Sequence, residues 1–252
     1  MSAGNELNRT DAGRGDADKE ASRSRRFFPL AVVELGTSAI RMAIGETDGA
    51  GTVRVLEQLV RGVSLGKDTF TIGEIQRKTL VDSIRVLKSY RRKLQEYQCT
   101  NPRNIRVVAT SAVREAINRL DVLDRIYIAT GLAVELIDDA EIARLTYLGV
   151  RPLLSEEVIQ QNSNTVVVEV GGGNTEVLLL KGKDIQHAQP YRLGSLRMQQ
   201  QLLQADAQRR DVGRIMLGQI DRSLEPLLDV IPRDQAVNLI ALGGDIRFAA
   251  RL

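Results

Sequence analysis

The stretch that decides the fold is Thr165-Val166-Val167-Val168-Glu169-Val170-Gly171-Gly172-Gly173-Asn174-Thr175-Glu176-Val177-Leu178-Leu179-Leu180-Lys181. It is an apolar run, a glycine turn and a second apolar run, the pattern of two buried strands joined by a tight connection. Three successive glycines strip the turn of side chains, so backbone N–H groups can approach a ligand closely. Glu169 and Glu176 bracket the turn. No lysine and no helix directly follow the glycines, so this is neither a P-loop nor a dinucleotide fingerprint. Taken alone, the stretch also reads as a plain hairpin in a buried sheet.

The flanking sequence repeats one plan. After Lys181, Ile185 to Leu193 reads as a third strand, and helical segments follow from Leu196 and from about Asp211. Val237 to Leu242 is a last strand, stopped by Gly243-Gly244 before a helix from about Ile246. Upstream, Ala31 to Leu35 runs into Gly36, then Ala39 to Gly45 and Thr52 to Val63 complete a meander. Thr71 to Gln98 is predicted as one helix, with Leu80, Ile84, Leu87 and Leu94 on one face. Ile105 to Ala109 is a strand leading into a helix from Ser111, and Ala133 to Ile137 another. Asp138 or Asp139 then caps a helix to about Val150. Residues 156–164 read as a polar loop or short helix. Such duplication predicts an α/β protein of two similar lobes with a glycine turn from each facing a cleft. The expected divisions are a disordered tail over residues 1–27, a first lobe over 28–148 and a second over 149–252. The second lobe reads as incomplete at its C-terminal end, where a closing helix only begins.

Composition narrows the chemistry. Hydrophobic residues make up 43% of the 252 and charged residues 27%, ample for a packed core. No run approaches the roughly 20 apolar residues of a membrane span, and the polar start is no secretory signal. A single cysteine, Cys99, forbids an intrachain disulfide and points to a reducing, cytoplasmic setting. With His187 as the one histidine, multi-His zinc sites are excluded, and any metal should be a hard cation on carboxylates, such as Mg²⁺. A net charge of +3 favours anionic partners, but 4% aromatics leave little for stacking on single strands, so no specific nucleic acid is expected. Arg23 to Arg26 and Arg91 to Lys93 read as solvated charge. A homodimer is carried as the expected assembly.

Four further segments carry polar chemistry. Glu34-Leu35-Gly36-Thr37-Ser38-Ala39 is the first-lobe counterpart of the decisive turn, with hydroxyls able to line an anion nest. In Ala109 to Ala116 a strand enters a helix, and Arg114 can clamp an anion bidentately. Ile137 to Leu145 places acidic residues at a helix start, and Leu242 to Arg247 is another glycine turn.

ELGTSAIRMAIG (34–45), VVATSAVREAIN (107–118), LIDDAEIARLTYLGV (136–150), VVVEVGGGNTEVLLL (166–180), YRLGSLRM (191–198) and ALGGDIRFAARL (241–252) resemble, in order, the motifs of the exopolyphosphatase/guanosine pentaphosphate phosphohydrolase (Ppx/GppA) family. The resemblance implies an actin-like ATPase (ribonuclease H-like) fold. It implies Mg²⁺-assisted hydrolysis of a terminal phosphoryl group of polyphosphate or a guanosine penta- or tetraphosphate. It further implies phosphate binding by Gly36, Thr37, Ser38, Arg114, Gly171, Gly172, Gly173 and Asn174, metal binding by Glu34, Glu169 and Glu176, and catalysis by Glu141. The chain departs from the family pattern in several places. Glu34 and Glu169 replace aspartates, Ser38-Ala39 replaces Asn-Ser, and Asn174 replaces serine. The family's Ile-Ser-Gly-x-Glu-Glu-Ala-Arg reads Ile137-Asp138-Asp139-Ala140-Glu141-Ile142-Ala143-Arg144, so the glutamate before the alanine falls on Ile142. Two alternatives stand beside the hydrolase: a catalytically impaired homologue that binds phosphate or an alarmone, and a sugar or acetate kinase of the same superfold.

Overall fold

The structure is a computed structural model, and it describes residues 27–156, 163–205, 208, 210–231 and 237–251. The expected tail thus lies, but for Phe27, outside the described residues, as does most of the loop expected over 156–164.

The first sheet grows from an antiparallel meander of β1 (Phe28–Leu35), β2 (Ala39–Thr47) and β3 (Val53–Gly62). β4 (Ile105–Ala109) and β5 (Glu135–Leu136) add in parallel, giving the order β3-β2-β1-β4-β5. Side chains alternate across a pleated strand, so Ala31, Val33 and Leu35 of β1 enter the core while Val32 stays exposed. The interstrand helices are α1 (Leu65–Ile72), α2 (Arg77–Glu96), the short α3 (Ser111–Arg114) and α4 (Arg119–Thr130). Leu80, Leu87 and Leu94 lie on one stripe of α2 and are buried, and Tyr90 donates its hydroxyl to the Ile40 carbonyl at 2.9 Å.

Three expectations for this lobe are corrected. The single helix over Thr71 to Gln98 is two helices. Gly73, at φ 82°, ends α1 in the left-handed conformation and donates to the Thr69 carbonyl. The helix from Ser111 lasts only four residues before α4 restarts at Arg119. The strand over Ala133 to Ile137 pairs only at β5, because β4 offers it just Val108 and Ala109.

The second sheet repeats the plan. β6 (Asn164–Val170), β7 (Thr175–Lys181) and β8 (Asp184–Tyr191) form the meander, and β9 (Val237–Leu242) lies parallel beside β6, in the order β8-β7-β6-β9. Both faces of β6 and β7 are covered, which is why these strands are apolar at nearly every position. Val166, Val177 and Leu179 pack with Tyr191, Leu193, Met198 and Leu227 on one side. Val167, Leu178 and Leu180 pack with Val150 and Leu154 on the other. The helices of this half are α6 (Ser195–Gln204), α7 (Val212–Leu224) and α8 (Gly244–Ala249).

One helix crosses the expected division. α5 (Asp139–Val150) sets Ala143, Tyr147 and Val150 against the second sheet, and the Tyr147 hydroxyl donates to the Lys183 carbonyl at 2.7 Å. The β3-β2-β1-β4 and β8-β7-β6-β9 arrangements are copies of one topology, and two such lobes make the actin-like ATPase fold. They meet where α1 crosses α6: Thr71 donates to Gln200 at 3.0 Å, and Gln204 donates to the Thr71 carbonyl at 2.6 Å. Among the described residues no helix is long and apolar enough to cross a membrane.

Candidate phosphate cleft

Between the lobes lies a cleft of about 890 Å³. Its walls are the two glycine turns, and both turns close alike. The Gly36 amide donates to the Ala39 carbonyl at 3.0 Å, and the Gly171 amide to the Asn174 carbonyl at 2.9 Å. Each turn also leans on the helix behind it. The Thr37 carbonyl accepts from the Gly66 amide of α1 at 2.7 Å.

The second turn is held more completely. The Gly171 carbonyl accepts from the Ser195 amide at 3.0 Å, that of Gly172 from the Arg197 amide at 3.0 Å, and that of Gly173 from Arg197 Nε at 2.7 Å. In a planar trans peptide the C=O and the following N–H point in opposite directions. Tying these carbonyls back to α6 therefore turns the amides of Gly172, Gly173 and Asn174 away from it. Among the described residues these amides have no partner. Three unpaired N–H groups in succession, on residues that line the cleft, are an arrangement able to receive an anion.

The glycines are required by close approach. A Cβ at Gly172 would sit 2.3 Å from Thr37 Oγ1, and one at Gly173 2.3 Å from Ser111 Oγ. The first lobe thus meets the second turn with hydroxyls. Behind the turn, a Cβ at Gly194 would sit 2.2 Å from the Gly173 carbonyl carbon.

Of the residues expected to bind phosphate, Gly36, Thr37, Ser38, Gly171, Gly172, Gly173 and Asn174 all line the cleft. Arg114 is not among the lining residues. Its guanidinium donates to the Ile137 carbonyl at 2.7 Å and pairs with Asp139 at the start of α5. Glu141, the residue expected to be catalytic, also stands apart from the lining. It accepts from Arg144 Nε at 2.7 Å and from both terminal nitrogens of Arg106 at 3.1 Å, outside the cleft lining. Hydrogen bonding to Arg144 first and then Arg106 holds its carboxyl down at about 2, against the opposing effect of desolvation. One residue is about 100° around a helix, and the next residue, Ile142, is the one that lines the cleft.

The carboxylates expected to hold metal all line the cleft but differ in state. Glu34 faces Arg41 at 3.4 Å. Glu169 accepts from Thr146 Oγ1 at 3.0 Å. Glu176, opposite Glu169 across the β6–β7 ladder, is buried. Burial, then the neighbouring Asp139 and Glu169, push its carboxyl up to about 7, against Arg114 and a hydrogen bond with Asn174. Among the described residues no three His, Cys, Asp or Glu side chains stand together as a metal site. Glu34 and Glu169 occupy matching positions, each two residues before the first turn glycine. Such a sparse oxygen set suits Mg²⁺, which binds through one or two carboxylates and the substrate's phosphates while keeping water.

The cleft also takes side chains not assigned a role from sequence: Arg41, Ser111, Ser195, Gln199 and Arg247. Arg41 had a legible signal, since it pairs in register with Glu34 one strand away. Leu202, Val212, Met216 and Leu242 make one part of the cleft wall apolar.

A sequence model of the Ppx/GppA phosphatase family matches residues 32–252. The chain is 27% identical over 226 residues to Exopolyphosphatase 2 of Mycobacterium tuberculosis, covering 85% of this chain and 67% of that one. The crystal structure of an exopolyphosphatase from Cytophaga hutchinsonii superposes with a TM-score of 0.76 at 25% identity, over 89% of this chain and 69% of that one. A Ppx/GppA enzyme structure from Aquifex aeolicus superposes at 0.65 and 23% identity, over 87% and 69%.

Proposed function

Because the chain belongs to the Ppx/GppA phosphatase family, we propose that its cleft binds a chain of phosphates and hydrolyses the terminal one. The observation that carries this reading is the row of amides at Gly172, Gly173 and Asn174, without partners among the described residues, on a turn whose glycines lie close to the hydroxyls of Thr37 and Ser111. The amides take the charge of the terminal phosphoryl group, which grows on its outer oxygens during transfer. Thr37, Ser38 and Ser111 supply hydroxyls that orient it. Glu176 is the buried carboxylate of the cleft, and in this reading it accepts the proton of the attacking water. Glu34 and Glu169 are the side chains that would hold Mg²⁺, which would supply charge neutralisation of the phosphates. Between polyphosphate and guanosine pentaphosphate, the apolar wall of Leu202, Val212, Met216 and Leu242 favours the nucleotide, whose base has apolar faces to bury. The reducing, cytoplasmic setting belongs to the same proposal, with Cys99 buried and unpaired.

The test is phosphate release from both substrates with Mg²⁺. Guanosine pentaphosphate is expected to be the faster substrate, and Glu176→Gln to lose at least tenfold in rate. A variant as active as the parent sinks the role given to Glu176. A second reading, a binding module without turnover, is favoured by Ile142, which stands in the cleft where the family pattern has a carboxylate. Tight binding of either substrate with no phosphate released establishes that reading instead.

A further inference from the structure

We propose that Arg197 is a positioning residue that makes the aim of the glycine amides depend on closure of the two lobes. The inference rests on the reading of the cleft as a phosphate site. Arg197 itself does not line the cleft, and neither does Glu115. Arg197 lies in the first turn of α6, and only 4% of its surface is exposed. A buried guanidinium must have its donors met, and this one is met from both lobes.

On the second-lobe side, its Nε donates to the Gly173 carbonyl at 2.7 Å, and its Nη2 lies 3.3 Å from Asn174 Oδ1. On the first-lobe side, the same Nη2 donates to Glu115 Oε1 at 2.6 Å, and the guanidinium carbon stands 4.0 Å from the centre of the Phe70 ring of α1. Glu115 is the residue directly after α3. Its other oxygen accepts from the exposed Arg192 at 2.7 Å.

The guanidinium is planar, so these contacts are not independent. With Glu115 and Phe70 in place, the plane is set and Nε meets the Gly173 carbonyl. If the lobes part, the charge loses its carboxylate and its aromatic face together. The side chain must then turn to find other partners, and the Gly173 carbonyl is released. The Asn174 amide, in the same peptide unit, loses its aim with it. The phosphate cradle is thus fully formed only when the lobes are closed. A lysine offers one ammonium in place of a rigid fork and cannot hold both directions at once.

The experiment uses Arg197→Lys, Glu115→Ala and Glu115→Gln in the whole chain, with Arg192→Ala as the control on the same carboxylate. The first readout is the backbone amide resonances of Gly173 and Asn174 without ligand. The second is the affinity for inorganic tripolyphosphate with Mg²⁺. Arg197→Lys and Glu115→Ala are expected to move both resonances and to weaken tripolyphosphate at least tenfold. Glu115→Gln, which keeps an acceptor oxygen, recovers most of that loss, and Arg192→Ala stays within twofold of the parent. Unmoved resonances in Glu115→Ala overturn the inference, whatever happens to affinity. Moved resonances in a parent chain that does not bind tripolyphosphate leave the positioning role standing and remove the phosphate reading. Should Arg197→Lys fail to fold, the Glu115 pair carries the same decision.

Discussion

The two glycine turns close with the same hydrogen bond and stand at the same point of the same topology, yet they are supported differently. Behind the first turn two carbonyls are reached, that of Thr37 by the Gly66 amide of α1 and that of Ser38 by the Val63 amide just ahead of it. Behind the second, α6 and the Arg197 side chain reach three in a row. Among the described residues both turns leave amides unpaired, those of Thr37 and Ser38 in the first and of Gly172, Gly173 and Asn174 in the second, and the first turn adds two hydroxyls. In the proposed reading the second turn is the grip on phosphate and the first is the wall that meets it. The carboxylates divide the same way. Glu176 of the second lobe is buried at the cleft, whereas Glu141 of α5 is turned outward into two arginines.

The strongest way to break the grip is from behind. In Gly194→Ala the new methyl would meet the Gly172 and Gly173 carbonyl carbons at 2.4 and 2.2 Å. Backbone atoms cannot yield as a side-chain tip does, so α6 must back away from the turn and release its carbonyls. Overpacking of this kind costs about 3 kcal/mol, visible as a lower urea midpoint, and tripolyphosphate affinity should fall more than a hundredfold. Gly218→Ala is the matched control. Nothing lies within 4 Å of its Cβ position inside α7, so it should stabilise the chain by about 0.5 to 1 kcal/mol. Equal behaviour of the two variants would show that the turn is not held from behind.

The contrast between the carboxylates is sharpened by Ile142→Glu. This change places a second carboxylate in the lining that already holds Glu176. With a second group able to orient water, phosphate release from guanosine pentaphosphate should rise about tenfold. An unchanged rate means that Ile142 is not where the water stands.

How much of this was legible follows from what each feature depends on. β6, its turn and β7 were readable because both faces of those strands are buried, which leaves an unbroken apolar run around three glycines. Their repetition around Gly36 was enough to infer two lobes. The break at Gly73 was not readable, since apolar spacing continues across it and a single glycine is tolerated within helices. The settings of Arg114 and Glu141 were not readable, because each meets a partner distant in sequence. The carbonyl that captures Arg114 belongs to Ile137, and the arginine that draws Glu141 outward is Arg106 on β4. A pattern can show that a charge is present, but only the packed chain shows which charge it meets. Arg197 is the same case with the outcome reversed, an unassigned residue of YRLGSLRM that binds the second turn to the first lobe.

Glu176 makes the second-lobe carboxyl testable without any substrate. Its ordinary value of 4.5 is raised to about 7 in the fold, chiefly by burial. The folded state therefore holds a proton that the unfolded chain has already lost between those two values. Stability must fall as pH rises from 4.5 to 7 and level off above. Glu176→Gln has no proton to lose. Relative to the parent, its thermal midpoint should gain steadily across that window and lead by most above pH 7. Parallel curves for the two proteins would mean that Glu176 is not held protonated by its surroundings.

Glu141 should show the opposite sign and the smallest effect. Its carboxyl is depressed to about 2 by Arg144 and Arg106, so its contribution is complete above 4.5 and disappears as pH falls through 2. The pairing is at the surface, where solvent screening leaves ion pairs little net value. Glu141→Ala should lower the thermal midpoint only slightly at pH 7, and the gap should close toward pH 2. Phosphate release should stay within twofold of the parent, because the side chain that faces the cleft from this turn of α5 is Ile142. A tenfold loss in rate with the fold intact would bring Glu141 back into the chemistry. It would then require α5 to turn by roughly one residue, about 100°, when phosphate binds, breaking the bonds to Arg106 and Arg144 on the way.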